Sequence, residues 1–181
     1  MKFMKLIGKF IRKACPANSA EMRSIVIMQR EAHQFSGDEL RTAGERGWGK
    51  KFDGKEDPMY FVSATYPPLV IVKAWPHMIR VSSVSTRYVE DDEYALSQLP
   101  RPEQKKAWKE HHAYTLLELF NDIKGRDIPD QEAYSSLARL ALQLGDPNCS
   151  AIFVPIKNIM MPNDGAAEQG LRFLIEKELP G

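Results

Sequence analysis

The hydrophobic pattern of the chain predicts a body of alternating strands and helices that begins at Arg23. Apolar runs rich in β-branched and aromatic residues, bounded by turn residues, are typical of strands. Pro67 and Pro68 mark the turn between the second and third of these runs, and Pro76 marks the next turn. The predicted strands cover residues 24–28, 59–65, 69–75, 78–85, 113–120 and 151–156.

Apolar residues at a spacing of three to four predict the helices. The clearest helix runs over 130–144 with Gly145 as its C-cap, and Ser36 followed by acidic residues begins another that ends near Trp48. A further helical region opens at 90–93, is interrupted by two prolines and resumes over 103–110, and 168–178 is a candidate short helix.

This order of elements predicts an α+β fold. We expect a two-layer sandwich with a mainly antiparallel sheet of about six strands and helices on one face. The predicted single domain covers 23–165, and residues 166–181 form a C-terminal tail. Residues 1–22 are predicted to be a basic amphipathic helix and a linker.

Residues 2–14 have the pattern of a basic amphipathic helix. Their apolar residues recur at i, i+3, i+4, i+7 and i+8, which places them on one helix face, and Lys or Arg fills most other positions without any acidic residue. A helix of about thirteen residues is marginal alone in water, so we expect this segment to dock on a surface. The predicted docking residues are Lys2, Phe3, Lys5, Leu6, Ile7, Lys9, Phe10, Ile11, Arg12 and Lys13.

More than one surface fits this segment. An anionic membrane surface is favoured, because Lys and Arg attract anionic lipids while the apolar side chains enter the interface. A partner protein, the protein's own body or a second copy of the chain would suit the same apolar stripe. The pattern leaves the oligomeric state open.

Charge distribution changes the picture of possible partners. Five of the 25 Lys and Arg residues lie among residues 1–13, which leaves 20 basic and 24 acidic residues in the rest and a net charge of −4 there. Phosphate recognition needs a basic face, so we expect no nucleic-acid binding by the body.

Cysteine usage and hydropathy indicate the compartment. Cys15 and Cys149 are the only cysteines, which favours a reducing compartment and argues against a disulfide framework. The chain has no apolar stretch of the roughly 18 residues that a membrane span needs. Lysines also interrupt the apolar run that a secretory signal would require. We therefore expect a cytoplasmic protein, with peripheral attachment at the inner face of the membrane if residues 2–14 bind lipid.

Several short motifs occur in an order that resembles a known family. They read AGERGWG at 43–49, RYVEDD at 87–92, EHHAY at 110–114, SAIFVP at 150–155 and PND at 162–164. Together they resemble the amino-terminal domain of bacterial, planctomycete-type proteins that carry the domain of unknown function 2314. The chain is more distantly similar to the domain-of-unknown-function family 4261. The resemblance implies an α+β fold and a bacterial setting, and it brings no known activity.

Six residues are candidates for a ligand pocket. An arginine beside an aromatic ring can bind an anionic or planar ligand, although such an arginine equally often pairs with a carboxylate inside the protein. A glutamate beside a histidine can act as an acid–base pair, although this pair stands at a predicted helix-to-strand junction where the histidine is expected to hydrogen-bond a loop. The candidates are Arg46, Trp48, Arg87, Tyr88, Glu110 and His111.

No reaction chemistry is evident elsewhere. The sequence has no phosphate-binding loop, dinucleotide fingerprint, nucleophile elbow or zinc-protease motif. The acidic run at 90–93 is expected to oppose a helix dipole rather than hold a cation. We therefore predict no metal, no cofactor and no catalytic residue, and a non-enzymatic binding or interaction module tethered through residues 2–14. The alternative is an enzyme with a pocket around Arg46, Arg87 and His111.

Overall fold

Seven strands and five α-helices form the part of the chain that the computed structural model describes, which is residues 23–53, 57–66, 69–89, 91–120, 128–145 and 147–176. The strands are β1 Ser24–Gln29, β2 Tyr60–Tyr66, β3 Leu69–Ala74, β4 His77–Val84, β5 Ala113–Phe120, β6 Cys149–Val154 and β7 Ile159–Pro162. The helices are α1 Gly37–Trp48, α2 Asp92–Gln98, α3 Pro102–Glu110, α4 Asp130–Leu144 and α5 Ala166–Glu176, and a 3₁₀ turn spans Pro155–Lys157. The predicted docking segment 2–14 lies outside these described residues.

All seven strands belong to one antiparallel sheet. Its strand order is β2-β3-β4-β5-β1-β6-β7, so the first strand of the body lies near the centre, between β5 and β6. This position explains why the β1 sequence is continuously apolar: Ile25 and Ile27 face one side, Val26 and Met28 face the other, and all four are buried.

Helices cover the two faces of the sheet unequally. Helices α1, α4 and α5 pack with Ile25 and Ile27 in the larger core. On the opposite face, Trp108 of α3 packs with Val26 and Met28 in a smaller core, against which α2 also lies. The larger core contains most of the buried apolar residues, and burial of apolar surface is the main favourable term in folding.

The predicted α+β class with a mainly antiparallel sheet is confirmed. Strand β7 was not among the predicted strands. Helices were expected on one face of the sheet only, whereas α2 and α3 cover part of the second face. Helix α5 corresponds to the candidate helix at 168–178. Its Leu171 and Leu174 are buried in the larger core, so residues 166–176 belong to the folded body rather than to a tail.

Candidate functional site

Arg87 lies in the loop after β4, and its guanidinium closes the C-terminal end of α3. It forms an ion pair with the Asp92 carboxylate, and its Nη2 donates to the Lys109 carbonyl oxygen at 2.7 Å. The Trp108 indole Nε1 donates to Asp92 Oδ1 at 3.0 Å, so both side chains share one carboxylate. A cation at this end of a helix also stabilises the last carbonyl groups. Arg87 is therefore occupied by contacts within the protein.

His111 is fully buried directly after α3, and both of its ring nitrogens are used. Nδ1 donates to the Trp108 carbonyl oxygen, and Nε2 accepts from the Tyr88 backbone N–H at 3.3 Å. This pattern requires the neutral imidazole that carries its proton on Nδ1. Desolvation on burial lowers the pKa of His111 below its ordinary value of 6.5, and the charge of Arg87 lowers it further. The residue therefore joins α3 to the loop after β4, which is the structural role expected at this junction.

The Glu110 carboxylate pairs with basic side chains. It lies 3.1 Å from the Arg30 guanidinium and 3.8 Å from Lys106 Nζ. Arg30 in turn donates to the carbonyl oxygen of Cys149 at 2.7 Å, which links α3 to the start of β6. Glu110 and His111 thus have separate partners rather than forming an acid–base pair.

The Tyr88 ring is part of the smaller core. Its centroid lies 5.1 Å from the Tyr114 ring and 5.7 Å from the Phe153 ring, and both contacts are edge-to-face. Arg87, Tyr88 and His111 therefore form one cluster. This cluster connects the loop after β4, the C-terminal end of α3 and the sheet. Their contacts with one another and with α3 give this cluster a structural role.

Arg46 and Trp48 lie on α1, across the sheet from this cluster. Trp48 is partly buried against the larger core, with its ring 6.3 Å from that of Phe52. Arg46 is exposed and lines a groove of about 390 Å³ between α1 and the end of α4, beside the acidic side chains of Asp38 and Glu39. The six predicted pocket residues thus separate into two groups on opposite faces of the sheet.

A second groove was not predicted from the sequence, and it is apolar. It has a volume of about 350 Å³ and lies where α5 passes over β7 and the beginning of α4. Two of its side chains are half-exposed, Ile159 at 48% and Phe173 at 44%. We name it the α5–β7 groove, and its lining residues are Tyr134, Val154, Lys157, Ile159, Met161, Gly170, Phe173 and Leu174.

Gly170 sets the floor of the α5–β7 groove. A Cβ at this position would lie only 2.0 Å from the Met161 sulfur, so the absent side chain lets α5 lie close to β7. Leu171 and Leu174 point into the larger core, which leaves Phe173 on the outer side of the helix. Helix α5 thus buries one apolar stripe in the core, and Phe173 lies outside that stripe, at the groove.

The described chain begins beside this groove. Arg23 Nε donates to Asp130 Oδ1 at 2.6 Å, and Lys157 Nζ, at the groove wall, lies 3.8 Å from Asp130 Oδ2. Gln131 Nε2 also donates to the Leu174 carbonyl oxygen at 3.4 Å, which holds the end of α5 against the start of α4. Arg23, the first described residue, is therefore linked through Asp130 to the wall of the α5–β7 groove.

The described residues contain no cluster of three or more metal-ligating side chains. None of their helices combines the length and the apolar character that crossing a bilayer requires.

The chain was compared with protein-family models, with curated proteins and with solved structures. No significant match was found in any of the three.

Proposed function

We propose that this protein is a non-enzymatic binding or interaction module that residues 2–14 attach to an anionic membrane surface. The observation that carries the proposal is the arrangement of five Lys and Arg residues around one apolar stripe without an acidic residue. Each cation near anionic lipid contributes about 1 kcal/mol, so the five provide up to about 5 kcal/mol. Insertion of the apolar side chains into the interface adds to this attraction.

The described part of the chain supports a structural rather than a catalytic reading of the candidate residues. Arg87 and His111 are engaged in contacts within the protein, and Arg46 lies on the other face of the sheet. A general acid or base needs a proton-transfer group within reach of a substrate, which the fully buried His111 does not offer. For this reason we favour the binding module over an enzyme built around these three residues. The resemblance to bacterial domains of unknown function stays a prediction and adds no activity.

Vesicle co-sedimentation tests the attachment. The full chain is mixed with vesicles of phosphatidylserine and phosphatidylcholine at low salt and compared with a chain that begins at Ser19. We expect the full chain to bind and the shortened chain to remain in solution. Raising the salt concentration should weaken binding, because screening reduces the attraction between Lys or Arg and lipid. Equal sedimentation of both chains, or none by either, would contradict the proposal.

A charge-matched pair of full-length variants separates local attraction from net charge. One variant carries Lys5→Gln, Lys9→Gln and Lys13→Gln, and the control carries Lys105→Gln, Lys106→Gln and Lys109→Gln on the exposed side of α3. Both lose three positive charges. We expect only the first variant to lose vesicle binding, and equal losses would show that overall charge, not residues 2–14, directs the protein to lipid.

A further inference from the structure

We propose that the α5–β7 groove is the docking site of residues 2–14 of the same chain. The groove is lined mainly by apolar side chains, and it presents Ile159 and Phe173 half-exposed at its mouth. Residues 2–14 carry the complementary feature, an apolar stripe that includes Phe10. The inference goes beyond membrane attachment, because it assigns these residues a docking site on the protein itself.

The position of Arg23 makes this docking reachable. Two ion pairs connect Arg23 to the groove wall: Arg23 lies 2.6 Å from Asp130, and Asp130 lies 3.8 Å from Lys157. Residues 15–22 span up to about 26 Å when extended. A helix over residues 2–14 is about 20 Å long. The linker can therefore turn the helix back so that its stripe lies along the groove without any change in the described fold.

The edge of the groove is compatible with a basic helix. Asp130 is already paired with Arg23 and Lys157, and Glu176 is an exposed carboxylate one turn beyond Phe173. With the apolar stripe in the groove, the Lys and Arg side chains would extend past its edges towards Glu176 and solvent. The net charge of −4 outside residues 1–13 favours the same approach.

A second copy of the chain fits the groove less well than this segment does. A stable interface between two proteins buries about 800 Å² on each partner. The half-exposed apolar side chains in this region are Ile156, Ile159 and Phe173, and they supply much less than that area. They are sufficient for one face of a short helix. Because the linker joins that helix to the body, docking is intramolecular and needs no high affinity.

Docking in the groove has a consequence for membrane attachment. The stripe cannot contact the groove and lipid at once, so the groove competes with the membrane for residues 2–14. This regulatory consequence rests on the proposed function, whereas the docking itself does not. If about nine molecules in ten are docked, releasing the segment raises the apparent vesicle affinity about tenfold.

Hydrogen exchange of the full chain without lipid tests the docking. An undocked segment of this length exchanges rapidly because its helix is marginal, whereas a docked helix is protected. The groove variant combines Ile159→Lys with Phe173→Lys. The matched control combines Met59→Lys with Trp75→Lys, two half-exposed apolar residues near the far edge of the sheet, so both proteins gain two positive charges. We expect protection of residues 2–14 in the wild type and the control and its loss in the groove variant.

The vesicle affinity of the same proteins completes the test. We expect the groove variant to bind phosphatidylserine vesicles about tenfold more tightly than the equally charged control. Fast exchange in the wild type, protection that survives in the groove variant, or protection that depends on protein concentration would each overturn intramolecular docking. Protection that is lost in the groove variant, without vesicle binding by any of the proteins, would support docking and contradict the membrane proposal instead.

Discussion

Replacing His111 with leucine measures how much the buried imidazole contributes to the fold. Leucine retains much of the volume beside Trp108 and removes both ring hydrogen bonds. The Trp108 carbonyl keeps other donors, the His111 backbone N–H at 3.4 Å and Arg87 Nη2 at 3.5 Å. The Tyr88 N–H loses the imidazole as its acceptor, and Tyr88 is partly accessible to water. We therefore expect the loss of stability to stay near the value of a broken hydrogen bond in a buried site, about 1–2 kcal/mol.

Urea unfolding at pH 7.5 checks this value, and thermal unfolding should show a fall in Tm of about 2–8 °C for a chain of this size. His111→Ala adds a cavity to the lost hydrogen bonds, so its loss should be larger, about 3–5 kcal/mol. An alanine variant no less stable than the leucine variant would refute the assignment of His111 to the core. A loss near zero in both variants would refute its structural role altogether.

The pH dependence of stability supplies an independent check on the same residue. Burial lowers the pKa of His111 in the folded protein, so the unfolded chain binds the proton more readily. The stabilisation is complete above the ordinary pKa of 6.5 and is lost as the pH falls below it towards the lowered folded value. The groups around the imidazole, Arg87, Asp92 and His112, are the same in His111→Leu. We expect wild type and variant to converge in stability as the pH falls from 7.5 to 5, and a constant difference would contradict a neutral buried imidazole.

Three further substitutions test particular contacts by urea unfolding. Arg80→Met should lower the free energy of unfolding by about 2–4 kcal/mol, because the nearly buried Glu118 carboxylate loses the guanidinium that lies 2.6 Å away. Adding Glu118→Leu should restore most of this loss, and a double variant no more stable than the single one would contradict the prediction. Ser36→Ala should cost about 1 kcal/mol because the hydroxyl caps α1; an unchanged urea midpoint would show that the cap is dispensable. Gly49 has a φ of 62°, so Gly49→Ala should cost about 1 kcal/mol and Gly49→Asn less; equal costs would point to a cause other than backbone strain.

The elements with strong local signals were predictable from the sequence. The sequences of β1 and α4 each identify their element without long-range information. A strand that is buried on both faces is continuously apolar, whereas a helix that is buried on one side has apolar residues every three to four positions. Ser36 and Glu39 likewise mark the start of α1 through a capping box. These signals are local, and the structure places the corresponding elements within a residue or two.

Strand β7 and the α5–β7 groove lacked such a signal. β7 has only four residues and ends in Pro162, so neither length nor alternation distinguishes it from a loop. It forms by pairing with β6, which local reasoning does not predict. The available signal is the amphipathic pattern of 166–176, although the sequence predicts these residues to be a C-terminal tail with a candidate short helix.

The separation of the predicted pocket residues also depends on long-range pairing. Arg46 and Arg87 lie on opposite faces because β1 inserts between β5 and β6, and the connections then carry α1 and α3 to different sides. Sequence spacing carries no information on this choice of face. The environment of His111 was easier to predict from the sequence, because a histidine at a helix-to-strand junction commonly hydrogen-bonds loop backbone groups.

Insertion of residues 2–14 into lipid is the central claim, and fluorescence quenching tests it most directly. A full-length Phe10→Trp variant is mixed with phosphatidylserine vesicles whose acyl chains carry bromine, and the wild type, with its native tryptophans Trp48, Trp75 and Trp108, provides the background. Bromine quenches an indole that enters the acyl boundary. We predict that the added indole is strongly quenched at low salt and much less at high salt, while the background changes little. An added indole that shows no quenching while the protein sediments with the vesicles would contradict attachment through residues 2–14.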